Sequence, residues 1–291
     1  MNNTFVVVTW NSSQVIGKLI RSINKYETGS KVIVVDNNST DETINIASSF
    51  TNVKVISLDK NLGFAKANNL GFKSVKTKYV TFINPDVVLH ENVTNRLVTE
   101  IEKEHIGLIG IRLTNADGTL QPTMYNFQTP FNIFIEQFEI GKILSEKLKL
   151  KYSPENSTHS QEREVEWLIG AFLFTKSSYY SAVGGFSEDY FLYSEDMDIC
   201  YKYHLKGLNV VFYPKVSAVH IGSVSESQTD TGKNLKLLNS FTIFARKYSK
   251  PSNIKTLYYC YVFKYFIAKY FSKERTKRYK ENINFLKEKL R

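Results

Sequence analysis

The first hundred residues alternate short β-branched runs with helix-length segments, and this alternation restricts the fold more than any other feature of the sequence. The runs are FVVVTW (5–10), VIVVD (32–36), VKVISL (53–58) and YVTFIN (79–84). Strands that alternate with helices in this way form a parallel sheet that is covered on both faces. We therefore predict an α/β fold with a mostly parallel sheet flanked by helices.

The length of 291 residues allows one main domain with an appendage, because single hydrophobic cores stop growing near ~250 to 300 residues. After an irregular stretch, regular secondary structure is predicted to resume. It consists of one strand at 165–174, a helix that ends at Gly184, and a helix that begins at Glu195. LNVVFYP and VSAVHIG are predicted as separate extended pieces. We predict a main domain and a helical C-terminal extension, with these bounds: domain 1–225 (first half about 1–110, flexible insertion about 121–164, second half about 165–225) and extension 226–291.

The formal net charge of +10 is concentrated at the end of the chain. Residues 255–291 hold eleven Lys and Arg against three Glu, which accounts for +8 of the total. The rest of the chain is close to neutral, whereas duplex binding requires many basic residues along one face. The distribution argues against a nucleic-acid partner.

The cysteine content and the N-terminus indicate a reducing compartment. Cys200 and Cys260 are the two cysteines, too few for a disulfide framework or a cysteine zinc site. The N-terminus MNNTFVVVTWN lacks the basic and apolar regions of a secretory signal. No run of ~18 uncharged apolar residues occurs, so a transmembrane helix is not predicted. We predict a cytoplasmic location.

Polar residues follow all four β-branched runs. In open α/β sheets, ligands bind beyond the carboxyl ends of the strands, and four polar strand ends together predict a binding site. Turn formation alone explains each of them separately, because Asn, Asp and Ser are common turn residues. The residues are Thr9 and Asn11 at the end of the first run, Asp36 and Asn37 at the end of the second, Asn61 and Gly63 after the third, and Asn84 and Asp86 at the end of the fourth.

Three acidic residues and one histidine have the chemistry of a metal-assisted transfer site. Asp86 follows Pro85 on a strand-end loop, where a carboxylate can bind Mn²⁺ or Mg²⁺ beside a diphosphate. His220 follows an apolar run and is a candidate second ligand, although a histidine there is also a common core residue. The pair Glu195 and Asp196 opens a helix, where it can provide a general base or simply complement the helix dipole.

Trp167 and Gly185 are candidates for the acceptor side of the site. An indole ring can form an apolar wall for a sugar face, but a single aromatic in an apolar strand also fits a core position. The Gly184–Gly185 pair lets the backbone approach a substrate closely, or turns the chain.

Taken together, seven motifs resemble the family 2 GT-A glycosyltransferases, and specifically their rhamnosyltransferase-like branch. The resemblance covers about residues 4–225 and implies inversion at the anomeric carbon, a nucleoside diphosphate sugar donor and a divalent metal. The branch favours dTDP-rhamnose, with a UDP-hexose as the alternative. The motifs are VVTWNS, VVDNNSTDET, NLGFAKANNLG, INPDV, WLIGAFLF, VGGFSEDYFLYSEDMDIC and VHIGS.

The resemblance also implies a role for each matching residue. Asp86 matches the last acid of the family's DxD motif and His220 matches its late metal ligand. Asp196 matches the catalytic base, and the neighbouring Glu195 would orient the acceptor substrate. Asn84 stands where many relatives have Asp, which removes one charge from the metal site. The implied nucleotide and donor-sugar residues are Thr9, Asn11, Asp36, Asn37, Asn61, Gly63, Lys66 and Asn68.

The QxxRW signature of processive relatives is missing, which favours transfer of a single residue to a glycan or lipid-linked glycan. The stretch KTLYYCYVFKYFIAKYFSKERTKRYK (255–280) mixes aromatic and basic residues, a pattern typical of a helix that rests on anionic lipid. We predict a peripheral protein at the inner face of the cell membrane. The same stretch would also suit a homodimer interface, or packing against the catalytic domain.

Two other functions stay open at this point. A sugar nucleotidyltransferase shares the parallel sheet, but the phosphate-binding loop expected after its first strand is replaced here by TWNSS. A non-catalytic scaffold is favoured by Asn84 and disfavoured by the retained acids and His220.

Overall fold

The computed structural model describes residues 2–152, 159–222 and 230–290. These residues divide into two compact units. The sheet unit contains 2–125, 159–191 and 195–222, and the helical unit contains 126–152, 192–194 and 230–290. The predicted boundary at 225 lies outside the described residues.

The strands belong to the sheet unit. They are β1 (Asn3–Thr9), β2 (Lys31–Asp36), β3 (Val53–Ser57), β4 (Tyr79–Ile83), β5 (Val87–Leu89), β6 (Ile106–Thr114), β7 (Leu120–Gln121), β8 (Met124–Tyr125), β9 (Arg163–Glu164), β10 (Trp167–Leu168), β11 (Phe172–Lys176) and β12 (Asn209–His220).

The helices are shared between the units. They are α1 (Ile16–Tyr26), α2 (Thr43–Ser48), α3 (Phe64–Phe72), α4 (Thr94–Ile101), α5 (Pro130–Gln137), α6 (Glu146–Tyr152), α7 (Ser177–Ala182), α8 (Glu195–Leu205), α9 (Asp230–Lys247), α10 (Pro251–Phe271) and α11 (Lys273–Leu290), with a 3-10 turn at Ile140–Ile143. Within these described residues, no helix combines the length and apolarity needed to cross a bilayer.

The main sheet has the strand order β3-β2-β1-β4-β11-β6-β12-β5. The first four strands are parallel to one another, while β11 runs antiparallel between β4 and β6. The result is a mixed, mostly parallel sheet with helices packed on it, which confirms the predicted fold class. The parallel register places Thr9 opposite Asp36, and Asp36 opposite Ser57. The carboxyl ends of β1, β2 and β3 therefore meet at one edge.

Apolar residues cover both faces of this sheet. Phe5 and Val7 of β1 face one cluster with α1, whose Ile16 and Leu19 are fully buried. The alternate residue Val6 faces the other cluster, which contains Phe82 and Tyr180. The alternation along β1 follows from the two-residue period of a strand.

The prediction of one strand over 165–174 is wrong. Trp167–Leu168 pairs with β8 in a separate two-stranded sheet, and Phe172–Lys176 joins the main sheet. Gly170 lies in the intervening turn, where its N–H bonds to Asp196 instead of to a strand partner. The two extended pieces predicted after 207 form one strand, β12, whose register is irregular between Tyr213 and Ser217.

The segment 121–164, predicted as a flexible insertion, holds regular elements in its described part. Its helix α5 packs with α10 in the helical unit, where Phe138 contacts Phe263 edge to face at 5.5 Å. Phe127 stacks on Phe244 at 6.3 Å. The aromatic residues of this segment thus provide apolar contacts that order it. Residues 153–158 lie outside the described part.

Candidate active site

The ends of β1 and β2 are joined by a buried hydrogen bond between Thr9 and Asp36. Thr9 Oγ1 donates to Asp36 Oδ1 at 2.8 Å, and both side chains are fully buried. Asp36 also accepts the backbone N–H of Ser39 at 2.8 Å and its hydroxyl at 2.6 Å. This carboxylate fixes the turn after β2, so the turn residues are held in one position at the sheet edge.

Asn11 closes the same region from the loop after β1. Its φ is 48°, a left-handed conformation that Asn tolerates better than most residues. The Asn11 N–H donates to Ser39 Oγ at 2.8 Å, and its Oδ1 accepts the N–H of Thr40 at 2.8 Å. Ser39 and Thr40 therefore join the turn after β2 to the loop after β1. Asp41, just before α2, accepts the N–H of Thr43 at 3.1 Å.

Asn37 connects the loops after β2 and β3. Its Nδ2 donates to the Gly63 carbonyl at 3.2 Å and its Oδ1 accepts the Leu62 N–H at 3.2 Å. Asn61 Oδ1 accepts the Gly63 N–H at 2.9 Å. Both amides hold the segment that enters α3, which is the turn role that sequence analysis weighed against a binding role.

Gly63 occupies a position that excludes a side chain. Its φ is 84°, and a Cβ atom there would lie 2.4 Å from the Phe191 carbonyl oxygen. The next residue, Phe64, donates its N–H to that same oxygen at 3.2 Å. The chain leading toward Glu195 therefore rests directly on the start of α3.

Two further predicted donor-site residues lie on α3. Asn68 is buried, and its Nδ2 donates to the Phe64 carbonyl at 3.1 Å. Its side chain is therefore packed against the backbone of its own helix. Lys66 is half-buried. Nearby, Asn69 joins α3 to the later loop, because its Oδ1 accepts the Phe186 N–H at 3.0 Å and its Nδ2 donates to the Phe186 carbonyl at 2.9 Å.

Asp86 and His220 come together although 134 positions separate them in sequence, because β5 pairs with β12 next to both residues. His220 Nε2 lies 3.2 Å from Asp86 Oδ1 and 3.4 Å from Asn84 Nδ2. On the other side of the ring, His220 Nδ1 lies 2.6 Å from Gln121 Oε1. Since Gln121 Oε1 can only accept, Nδ1 donates to it, and Nε2 is the ring nitrogen that faces Asp86.

This arrangement fits a divalent cation. Nε2 of His220 and Oδ1 of Asp86 lie 3.2 Å apart, and an imidazole nitrogen and a carboxylate oxygen are both atoms that can bind such a cation. A second partner that fixes the tautomer is typical of metal-binding histidines. Within the described ranges, no group of three or more His, Cys, Asp or Glu residues is placed to hold a metal, so diphosphate oxygens and water would supply the other ligands.

Asp196 lies in the first turn of α8 and is held by two backbone donors. Its Oδ2 accepts the Gly170 N–H at 3.1 Å and its Oδ1 accepts the Met197 N–H at 2.9 Å. The neighbouring Ala171 carbonyl accepts the Asn84 N–H at 3.0 Å. Residues 170 and 171 therefore link Asp196 to the strand end that carries Asn84 and Asp86.

Burial raises the pKa of both acids at this helix start. The pKa of Glu195 is raised to about 8, first by burial and then by the nearby Asp196 and Asp198 carboxylates. Burial also raises the pKa of Asp196, while its N–H donors act in the opposite direction. Among the described residues, the buried Oε2 of Glu195 has no hydrogen-bond partner. Asp196 keeps partial exposure to solvent, which a base acting on an acceptor requires.

Asp198, the third acid at the start of α8, has a structural role. Its Oδ2 accepts the Ser187 hydroxyl at 2.5 Å and its Oδ1 accepts the Tyr190 hydroxyl at 3.1 Å, all three residues being buried. The carboxylate thus fixes the loop that precedes α8.

The two predicted acceptor residues have packing contacts of their own. Trp167 stacks on Tyr125 with ring centroids 4.6 Å apart. Gly185 has a φ of 62°, and a Cβ atom there would lie 2.6 Å from Asn69 Oδ1. Close packing therefore explains why glycine occupies position 185, and the acceptor role of both residues stays a prediction.

Sequence reasoning missed three contributors to the site: Gln121, Gly170 and Phe191. Gln121 lies in a two-residue strand, and Gly170 and Phe191 act through backbone atoms. Backbone contacts between distant segments leave no pattern of side chains in the sequence.

Comparison with known proteins identifies the family of this chain. The family described as Glycosyl transferase family 2 matches residues 4–198. Rhamnosyltransferase WbbL of Escherichia coli K12 is 26% identical over 223 residues, covering 74% of this chain and 81% of the relative. The N-acetylglucosaminyl-diphospho-decaprenol L-rhamnosyltransferase of Mycobacterium tuberculosis H37Rv is 24% identical over 229 residues, covering 74% of each chain.

A solved structure also shares the GT-A fold. The mannosyltransferase PcManGT of Pyrobaculum calidifontis, in complex with GDP-Man and Mn²⁺, superposes with a TM-score of 0.59 at 13% identity. The alignment covers 99% of this chain and 86% of the other.

Proposed function

The chain belongs to glycosyl transferase family 2, and from this premise we propose that it transfers a hexose or deoxyhexose, with rhamnose favoured, from a nucleoside diphosphate sugar to a hydroxyl group of a glycan acceptor. The observation that carries the proposal is the position of Asp196. Its carboxylate is fixed by the Gly170 N–H, and Ala171 bonds to Asn84 at the edge where Thr9, Asp36 and Asp86 also lie.

The proposed reaction is a single displacement. Asp196 accepts the proton of the acceptor hydroxyl as the acceptor oxygen forms a bond to the anomeric carbon. The bond between that carbon and the diphosphate oxygen breaks on the opposite side, so configuration inverts and the nucleoside diphosphate leaves. The raised pKa of Asp196 makes it a stronger base than an ordinary aspartate.

Asp86 and His220 would hold a divalent cation, Mn²⁺ or Mg²⁺. When bound, such a cation supplies positive charge beside the leaving diphosphate. Asn84 provides an amide in place of a second carboxylate, so a less tightly held cation is expected than at a site with two acids. Glu195, with a pKa of about 8, is mostly protonated at pH 7 and can donate a hydrogen bond toward the acceptor.

The proposal favours dTDP-rhamnose as donor, because two relatives carry rhamnosyltransferase names. A lipid-linked acceptor is supported by the mycobacterial relative, whose name specifies a decaprenol-linked sugar.

Thermal denaturation with dTDP, UDP, GDP and CMP, each with and without Mn²⁺, tests the donor site. A nucleotide at ~100 times its Kd stabilises the protein by about 2.7 kcal/mol. We expect a Mn²⁺-dependent rise in Tm with dTDP or UDP that disappears in Asp86→Ala and persists in the control Glu104→Ala, an exposed acid before β6. If no nucleotide raises the Tm, the non-catalytic scaffold is the better account.

A further inference from the structure

The helical unit carries an exposed aromatic face formed by α5 and α10. We define this aromatic face as Phe131, Phe134, Tyr259, Phe263, Phe266 and Tyr270, whose exposed fractions lie between 46% and 85%. Single exposed apolar residues are ordinary, but a contiguous set marks an interaction surface.

The spacing on α10 shows that the exposure is systematic. Tyr259, Phe263, Phe266 and Tyr270 follow one another at intervals of four, three and four residues, which places them on one side of a helix. The opposite side packs into the helical unit through Ile254 and Leu257. The helix is therefore apolar on two sides, and the described residues cover one of these sides.

Helix α5 contributes aromatic residues to the same surface. Phe134 lies 4.9 Å from Phe138, and Phe138 lies 5.5 Å from Phe263 of α10. Phe134 and Phe263 line the same apolar groove, which has a volume of about 540 Å³. The face thus combines a helix of the segment 121–164 with a helix of the C-terminal extension, and α10 alone does not account for it.

Exposed basic residues flank this face on α10 and follow it at the start of α11. Lys255 and Lys269 are exposed on α10, and Lys273, Arg275 and Lys277 are exposed at the start of α11. From 251 to 290 the chain has ten Lys and Arg residues against three Glu, a net charge of +7. Two copies that met through this face would bring like charges together, whereas anionic lipid would attract every one of them.

We propose that the aromatic face lies flat on an anionic lipid bilayer, with its rings at the level of the headgroups and the flanking Lys and Arg residues on lipid phosphates. Aromatic and basic residues on one surface are the composition of interfacial helices. Docking goes beyond the proposed sugar transfer and does not depend on it.

Co-sedimentation of the full chain with vesicles tests the proposal. Vesicles of phosphatidylcholine with phosphatidylglycerol should bind the protein, and vesicles of phosphatidylcholine alone should bind it at least tenfold less. The triple variant Phe263→Ser, Phe266→Ser, Tyr270→Ser should lose at least tenfold in binding. Leu205→Ser, which changes an equally exposed residue (64%) at the end of α8, should bind as wild type does.

A second set of variants separates charge from apolar contact. Lys255→Gln, Lys269→Gln and Lys273→Gln together should remove the preference for phosphatidylglycerol. If the triple aromatic variant fails to fold, Tyr270→Ser alone, at a position 85% exposed, should still weaken vesicle binding severalfold. Wild-type protein that ignores both vesicles, or a triple variant that binds as wild type does, would overturn the proposal. So would a wild-type dimer in analytical ultracentrifugation that the triple variant dissolves, because the face would then belong to a second copy.

Discussion

Asp196 accepts the backbone N–H of Gly170 through Oδ2 at 3.1 Å. This contact orients a carboxylate of α8 toward the turn between β10 and β11. The residue after Gly170 in this turn, Ala171, accepts a hydrogen bond from the backbone N–H of Asn84. The contact therefore brings the candidate base to the strand end that carries Asp86. A backbone donor cannot rotate away as a side chain can, so the position of the carboxylate is fixed before any substrate binds.

The contact between Gln121 and His220 should control metal affinity. In Gln121→Ala, His220 Nδ1 loses its acceptor at 2.6 Å, and the ring can turn or change tautomer. Loss of such a partner typically weakens metal binding 10- to 100-fold. Titration of Mn²⁺ in thermal denaturation, with saturating nucleotide, should show this weakening. His90→Ala removes a histidine that bonds Ser217 of β12 and should leave the titration unchanged; an unchanged titration in Gln121→Ala would contradict the assignment.

The raised pKa of Glu195 predicts a pH-dependent stability. The carboxyl has a pKa of about 8 in the folded protein and an ordinary value near 4.5 when unfolded, so the folded state binds more protons between these values. Stability from this group is complete below about pH 4.5 and is lost as pH rises toward about 8. Each unit of pKa difference corresponds to ~1.4 kcal/mol.

Glu195→Gln should remove that pH dependence, because the amide stays neutral. Urea unfolding between pH 5 and pH 9 should show the variant gaining stability relative to wild type as pH rises. The exposed Glu42→Gln should parallel wild type at every pH. Parallel curves for Glu195→Gln and wild type would mean that Glu195 is ionised in the folded protein.

Gly63 and Gly118 provide a matched test of close packing against backbone strain. Both have a φ above 80°, but a Cβ atom at Gly63 would lie 2.4 Å from the Phe191 carbonyl oxygen, whereas one at Gly118 would meet nothing within 4 Å. Gly118→Ala should cost about 1 kcal/mol of unfolding free energy, the cost of left-handed backbone alone. Gly63→Ala should cost more, about 3 kcal/mol, because the carbonyl must also move. Equal costs by chemical denaturation would show that the contact with Phe191 is unimportant.

The sheet could be predicted from the sequence because its signals are local. The runs that became β1, β2 and β4 are visible as β-branched segments, since a strand buried on both faces needs mostly apolar residues, whereas β3 is an edge strand with an exposed Lys54. The strand predicted over 165–174 was wrong because WLIGAFLF is uniformly apolar, and periodicity cannot reveal a break at Gly170 that a distant carboxylate stabilises.

The candidate site followed the same rule. Asp86, Asp196 and His220 are predicted by residue type and by resemblance, whereas the contact of Gln121 with His220 arises from pairing of β6 with β7 far from His220 in sequence. In the described part of segment 121–164, Phe127 and Phe138 pack against helices more than one hundred residues away, and such contacts are not encoded locally.

The most direct test of the central claim compares wild type with Asp196→Asn. The assay measures release of dTDP from dTDP-rhamnose, with an N-acetylglucosaminyl-diphospho-lipid as acceptor, and the affinity for dTDP is measured by calorimetry. We predict that Asn, which retains an oxygen for the Gly170 N–H but cannot accept the proton, lowers turnover by at least about 100-fold with an unchanged Kd for dTDP. Turnover by Asp196→Asn at the wild-type rate would contradict the assignment of Asp196 as the base.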